Sequence, residues 1–307
     1  MSGKVKNQHY VPQMYLERFT SNGRMSVWAL DDDEIRTRQH PRNYAAKRYF
    51  YDEERIELKK HLQEIIELHP ETEAVIDQSD EQFVEKYLAR VESATKTIFD
   101  EIEQDHNRLY DHDNKLKLII FLHDLSCRTE KYRDEIDGIR QHTIQSLSEM
   151  GISEHQVEGL GLPGKESQLY NLLGVAPLLR TSTMLLENYN WYIGTVSGVN
   201  KFIISDNPAQ GIYLGFNDIC IPINSNNAII LRTSNPTKPI LAEDMPIGNE
   251  IKLSERSVLS YNALQLSYAN RYIFGDRMSI ILLKKLCDMQ GGYSKLYGEN
   301  LFLKPRK

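Results

Sequence analysis

Long apolar runs are missing from this chain. Nothing approaches the roughly 18 consecutive apolar residues that a membrane-crossing helix needs, so no membrane partner is expected. Cysteine is scarce. Cys127, Cys220 and Cys287 are scattered, odd in number and without metal-knuckle spacing, which argues against a disulfide framework and for a reducing, cytoplasmic setting. Lys4 and Lys6 are followed by no apolar core, so the start does not read as a secretory leader. Several enzyme signatures are absent as well. There is no Gly-rich phosphate loop and no dinucleotide fingerprint. There is no Gly-x-Ser-x-Gly elbow, no His-Glu-x-x-His and no zinc-deaminase pattern. No internal repeat or low-complexity tract occurs.

What remains is a chain of 307 residues, 40 % hydrophobic and 26 % charged, a composition that fits a globular protein. The net charge of −6 is unevenly spread. Residues 1–50 carry nine Lys or Arg against five Asp or Glu, whereas residues 51–160 carry 13 against 27. Residues 161–307 carry 15 against 11, so an acidic middle lies between two basic ends. Long helices with an acidic wet face account for such a middle. The sharper reading is that the two ends meet on one face and receive an anion, such as phosphate or a nucleic-acid backbone.

The pattern predicts an α+β fold in one composite domain over 1–307: arm and hairpin over 1–52, a helical part over 53–188, and a β-rich part with a late helix over 189–307. Val11 precedes Pro12 and is therefore expected to be extended, giving an arm that carries His9 inward and is anchored by a helical turn from Gln13 to Phe19. Met25–Leu30 and Ile35–Arg38 read as a hairpin around Asp31–Glu34. Helices are expected over Glu53–Leu68, from a cap at Ser79 or Asp80 to Asp105, from Asp113 to Glu149, and over Glu166–Leu186 with an interruption near Pro177. His69–Ser79 and Gly159–Gly164 read as loops, the latter as a hinge. Trp191–Val196 and Lys201–Ser205 read as a second hairpin. Ile219–Ile223 and Ala228–Arg232 are further strands, with Pro222 marking an edge. Ser254 caps a helix through Ala269. The type of Tyr272–Phe274 and Ile280–Leu283 is left open by periodicity.

Chemistry-bearing residues recur in three places. His9 lies in a dense set of amides and phenols, which suits an acid/base or metal-binding imidazole and equally a buried hydrogen-bonding one. Asp206, between Ser205 and Asn207-Pro208 at a strand end, suits a metal ligand or base, or else an Asx-type turn. On the third helix His123 and Cys127 share a face, as a structural pair or a metal pair. There Arg128 follows an apolar run and can clamp a carboxylate or phosphate. Glu92 borders an apolar stripe and can face His9 or Arg128, while a solvated helix position is the ordinary reading for both Glu92 and Arg128. The interleaved aromatics and cations of Pro41–Tyr51 suit either a snorkelling core edge or base stacking. His9-Tyr10-Val11-Pro12 is similar to the His-apolar-Pro start of ββα-metal nucleases, with a hairpin and Asn43 downstream. The remaining metal-site residues of that pattern are not found.

Gln8-His9-Tyr10-Val11-Pro12-Gln13 with Tyr15-Leu16 and Phe19, and Phe202 to Pro208, resemble the bacterial domain-of-unknown-function family numbered 4238. Asn43, Phe50-Tyr51, Glu92, Arg128-Thr129, Asn262 and Ala269 to Ile273 fit the same family. The resemblance implies that separated polar motifs form one composite site: His9, Asp206 and Glu92 for catalysis, with Gln8, Tyr10, Arg128, Asn207 and Asn262 for binding. The expected function is a phosphodiesterase or nuclease, assisted by Mg or Mn, serving as a bacterial defence effector. The alternative is a non-catalytic module that binds a nucleotide, a nucleic acid or a protein.

Overall fold

The computed structural model describes residues 4–78, 81–152, 165–209, 211–212, 218–234 and 244–292. The cap expected at Ser79 or Asp80, the hinge at 159–164 and the basic tail from Lys304 lie outside them. The fold is α+β, with helices packed beside three antiparallel or mixed sheets.

The arm is a strand. β1 (Asn7–His9) pairs antiparallel with β4 (Ala46–Arg48), placing His9 opposite Ala46. Beyond it the backbone N–H groups of Tyr10 and Val11 both donate to the Ala45 carbonyl, at 2.8 and 3.4 Å. Pro12 is extended at φ −52°, ψ 133°, and α1 (Gln13–Glu17) follows. Tyr15 and Leu16 of α1 are fully buried, and the Tyr15 hydroxyl donates to the Pro222 carbonyl. The arm is thus fastened to the β-rich end of the chain.

β2 (Met25–Ala29) and β3 (Glu34–Gln39) form the expected hairpin. After β3 comes a 3₁₀ turn at Pro41–Asn43 and then β4, not a helix, so the likeness to a ββα nuclease ends at the hairpin. The four-stranded sheet runs β3-β2-β10-β6, with β6 at Ile203–Ser205 and β10 at Tyr272–Gly275. A second sheet runs β7-β8-β5-β9, from Asp218–Pro222, Asn227–Thr233, Tyr189–Val196 and Glu250–Leu253. Pro222 closes an edge strand, where its missing N–H is harmless.

The second hairpin does not form, because β5 and β6 belong to different sheets. The link between them is drawn elsewhere. Ser197 N–H donates to Leu253 O, the Glu255 carboxylate accepts from the N–H groups of Val199 and Asn200, and Lys201 N–H donates to Ser279 Oγ at 2.8 Å. Alternation reveals a strand but not its partner. β9, parallel to β5, was not expected; its four residues are too few for a period.

The helical part departs from expectation at three points. Glu53–Leu68 splits at Leu62 into α2 (Arg55–His61) and α3 (Gln63–Leu68). The supposed loop 69–79 holds α4 (Glu71–Gln78), with Pro70 just before the first turn, where a proline is tolerated. After α5 (Phe83–Gln104), the long third helix breaks into α6 (His112–Cys127) and α7 (Glu130–Glu149). Thr129 causes that break. It is extended at ψ 161°, and its Oγ accepts from Tyr132 N–H at 3.2 Å as an N-cap. α8 (Lys165–Leu173) and α9 (Val175–Glu187) part at Gly174, close to the interruption expected near Pro177. α10 (Glu255–Tyr268) is capped by Ser254 as expected, and α11 (Arg277–Met289) contains Ile280–Leu283.

Gln168 on α8 holds the α6–α7 break open. Its fully buried amide donates to the carbonyls of Cys127 and Thr129, at 3.0 and 3.1 Å, and accepts from Arg133 Nε at 2.6 Å. Replacing Gln168 by Leu strips these groups of their partners. The expected loss is about 2–4 kcal/mol of stability, read as a lower urea midpoint at unchanged m-value.

Candidate functional site

The break between α6 and α7 faces two ways. Arg128 points to one side, and Thr129 to Lys131 point to the other.

On the first side the Arg128 guanidinium is buried, 2 % exposed. Its Nη1 lies 2.8 Å from Glu92 Oε1 on α5, and its Nη2 donates to the His9 carbonyl at 2.7 Å. The group lies beside the Tyr51 ring, and the Tyr51 hydroxyl donates to the Arg128 carbonyl at 2.6 Å. Burial opposes the guanidinium charge, but Glu92 and Tyr51 outweigh it and hold the group protonated.

Two further carboxyl groups feel Arg128. Glu85 lies seven residues before Glu92, hence on the same face of α5, and Asp124 lies four before Arg128 on α6. Burial pushes Glu85 up to about 7 against the pull of Arg128, and Glu92 adds to the rise. Burial pushes Asp124 up to about 8, although Arg128 and the Tyr87 hydroxyl, 3.3 Å from Oδ1, draw it down. Glu85 Oε2 and Asp124 Oδ2 are buried without a hydrogen-bond partner, as are His9 Nε2 and Arg128 Nε. His9 is held below its ordinary value by burial, against the opposing pull of Glu92. It is therefore a neutral imidazole at pH 7.

On the other side, Asp206 is 1 % exposed, and its two oxygens accept from the backbone N–H groups of Asn270 and Arg271, at 2.7 and 2.8 Å. Burial raises it to about 6 despite those hydrogen bonds. Asn207 Oδ1 accepts from Thr129 Oγ at 2.8 Å, which ties the α7 cap to the Ser-Asp-Asn-Pro stretch. Lys131 Nζ, buried, donates to Tyr268 O at 3.0 Å. Buried Tyr10 has its hydroxyl held above the ordinary value by burial, with Asp206 and Glu130 adding to the shift.

The site residues expected from sequence therefore fall into separate groups. His9, Glu92 and Arg128 converge. No hydrogen bond or ion pair joins His9 to Asp206. Gln8 is occupied locally, accepting from Tyr51 N–H and donating to Asp52, and so fastens the arm. Asn262 accepts from Ile203 N–H at 3.1 Å and donates to Lys201 O at 2.9 Å, holding β6 to α10. His123 spends both ring nitrogens, on Thr181 Oγ and Asn171 O, and Cys127 Sγ donates to the His123 carbonyl. Among the described residues no group of three or more His, Cys, Asp or Glu could hold a metal ion. Sequence reasoning missed Glu85, Gln168, Lys131 and Gln265, the last accepting from Ser205 N–H and Oγ and donating to Pro208 O. The Glu85–Glu92 spacing was a legible signal; a buried Gln or Lys announces nothing.

Fold and site together define an α+β protein built around an arginine-centred cluster of carboxyl groups and one imidazole. The family model described as Protein of unknown function (DUF4238) matches residues 7–279, and the chain belongs to that family. Neither curated proteins nor solved structures gave a match.

Stability should fall as pH rises across the neutral range. Glu85 and Asp124 bind protons more tightly folded than unfolded. Their contribution is complete below the unfolded carboxyl value and is lost as pH climbs through about 7 and 8. His9 acts oppositely, adding stability as pH rises past its unfolded value. In melts between pH 5 and pH 9, the Glu85→Gln, Asp124→Asn double variant should lose less Tm than the parent. An equal or steeper decline would contradict the assignment.

Proposed function

We propose that the protein is an acid–base hydrolase of phosphodiesters, a nuclease or phosphodiesterase, working at His9 and Glu92. One observation carries this reading: Glu92 pairs with a buried guanidinium, and two further buried carboxyls, Glu85 and Asp124, lie with the His9 imidazole within its electrostatic reach. A structural ion pair needs one carboxylate. Burying additional, incompletely satisfied carboxyls is unfavourable for folding, and clusters of shifted titratable groups of this kind mark functional sites.

In this reading neutral His9 takes a proton from the attacking water through Nε2, which has no competing partner. Glu85, close to half-protonated at neutral pH, is suited to return a proton to the leaving oxygen. Arg128 positions the pair by holding the His9 carbonyl and the Glu92 carboxylate. An anionic substrate beside this many carboxyls needs a cation between them. Mg or Mn suits that place, because such ions bind through one or two carboxylates plus substrate phosphate and water rather than in an all-protein cage. Glu92 is the suitable protein ligand, its side chain being 22 % exposed. Asp206, bound to backbone, positions the loop at 270–271 and takes no part in the chemistry. A role as a defence effector, in a cytoplasmic setting, would rest on cleavage of nucleic acid.

A second reading is a non-catalytic module that binds a nucleotide, nucleic acid or protein. It is favoured by the use of Gln8, Asp206, Asn207 and Asn262 to fasten backbone segments.

Labelled DNA and RNA, single- and double-stranded, incubated with Mg, Mn or chelator separate the two. The hydrolase reading expects cation-dependent cutting that falls by about 100-fold or more in His9→Ala and Glu92→Gln, with melts close to wild type. Folded wild type that cuts nothing, together with a lowered melt for His9→Ala, favours the module.

A further inference from the structure

One cavity lies away from the arginine cluster. It has a volume of about 680 Å³ and lies between the two basic ends of the chain. Its walls are the turn at Ser21–Arg24, the bulged part of β3 at Thr37–Arg38, Lys201, the Ser225–Asn226 turn, and the start of α11 at Asp276–Arg277. No described residue of the acidic middle lines it.

Four cations face this space. Arg24, Arg38 and Arg277 are exposed, and none meets a carboxylate at ion-pair distance among the described residues. Lys201 Nζ donates to Asn226 Oδ1 at 2.8 Å, so the lysine is held by a neutral group. Asp276 is the one carboxylate among the described lining residues. It is engaged as the cap of α11, accepting from Ser279 N–H at 3.0 Å and Oγ at 3.2 Å. Arg38 sits at φ +56°, in the irregular stretch where β3 shifts register against β2. A bulge re-aims side chains, and a non-glycine residue in that region is retained against a cost. Ordinary surfaces intersperse the two signs of charge, so four cations around a concavity form a local positive potential.

We propose that this cavity binds a chain of two or more phosphate groups. Its volume suits a small ligand. Among the described residues its only aromatic lining residue, Phe19, is 2 % exposed, so these offer no platform for stacking a base. Recognition therefore falls on the phosphates. Their source is either a nucleoside polyphosphate or a nucleic-acid strand, which share this chemistry. The inference does not rest on the hydrolase reading, because binding here needs neither His9 nor a divalent cation.

The test is titration of the full chain, in chelator, with inorganic tripolyphosphate, ATP, GTP and a labelled single-stranded oligonucleotide at several salt concentrations. Tripolyphosphate, ATP and GTP should bind with similar affinity. The Arg24→Gln, Arg277→Gln double variant should weaken them at least tenfold without moving the melt, while Arg55→Gln leaves them unchanged. If the oligonucleotide is the tighter ligand, each removed guanidinium should flatten the salt slope by about one. Tight binding of the short phosphates with none of the strand identifies a polyphosphate ligand. Absence of binding by every probe at millimolar concentration, or equal binding by the double variant, overturns the proposal. Chelator keeps this result separate from any result on cleavage.

Discussion

Burial of the Arg128 guanidinium constrains everything around it. A buried cation must be paired and hydrogen-bonded, and removing one partner of such a pair typically costs about 3–5 kcal/mol. Arg128 draws on three separate parts of the chain for this, the His9 carbonyl from the arm, Glu92 from α5 and the Tyr51 ring from the segment after β4, with Nε left without a partner. The arm is consequently not a free terminus. Its strand pairing, the Gln8 contacts and the buried Tyr15 all place His9 where Arg128 can hold it.

The same short stretch of backbone serves the opposite face. Thr129 ends one helix run and begins the next, and its hydroxyl reaches Asn207. The Ser-Asp-Asn-Pro stretch in turn holds the loop after α10 through Asp206 and is itself held by Gln265. A continuous helix from His112 to Glu149 would have no bend at Thr129 to deliver Arg128 and Lys131 to different surroundings. The break thus ties the helical part to the β-rich part through the Thr129–Asn207 hydrogen bond, and Gln168 satisfies the carbonyls it leaves open.

Charge follows the same division. The acidic middle supplies Glu85, Glu92 and Asp124 around one arginine, while the basic ends meet around a separate cavity. Low dielectric around Arg128 shifts the buried carboxyls towards neutrality, whereas the cations around the cavity stay open to solvent.

Local chemistry determined much of this in advance. Val11-Pro12 dictated an extended entry, Ser254 capped a helix, and the apolar stripe of α5 put Glu92 beside the core. The α+β class followed from the order of those patterns. The family motifs marked His9, Arg128, Asp206 and Asn207 as residues under constraint, but not which of them touch. Tertiary structure alone decided that β5 and β6 pair in different sheets, that Asp206 accepts from the backbone of Asn270 and Arg271, and that Glu85 and Asp124 feel the Arg128 charge beside Glu92. The physical reason is common to all three. Periodicity and capping are read over a few neighbouring residues. Strand partners, hydrogen bonds across 64 residues such as Asp206 to Asn270, and the burial that shifts a carboxyl depend on long-range packing that no local window contains.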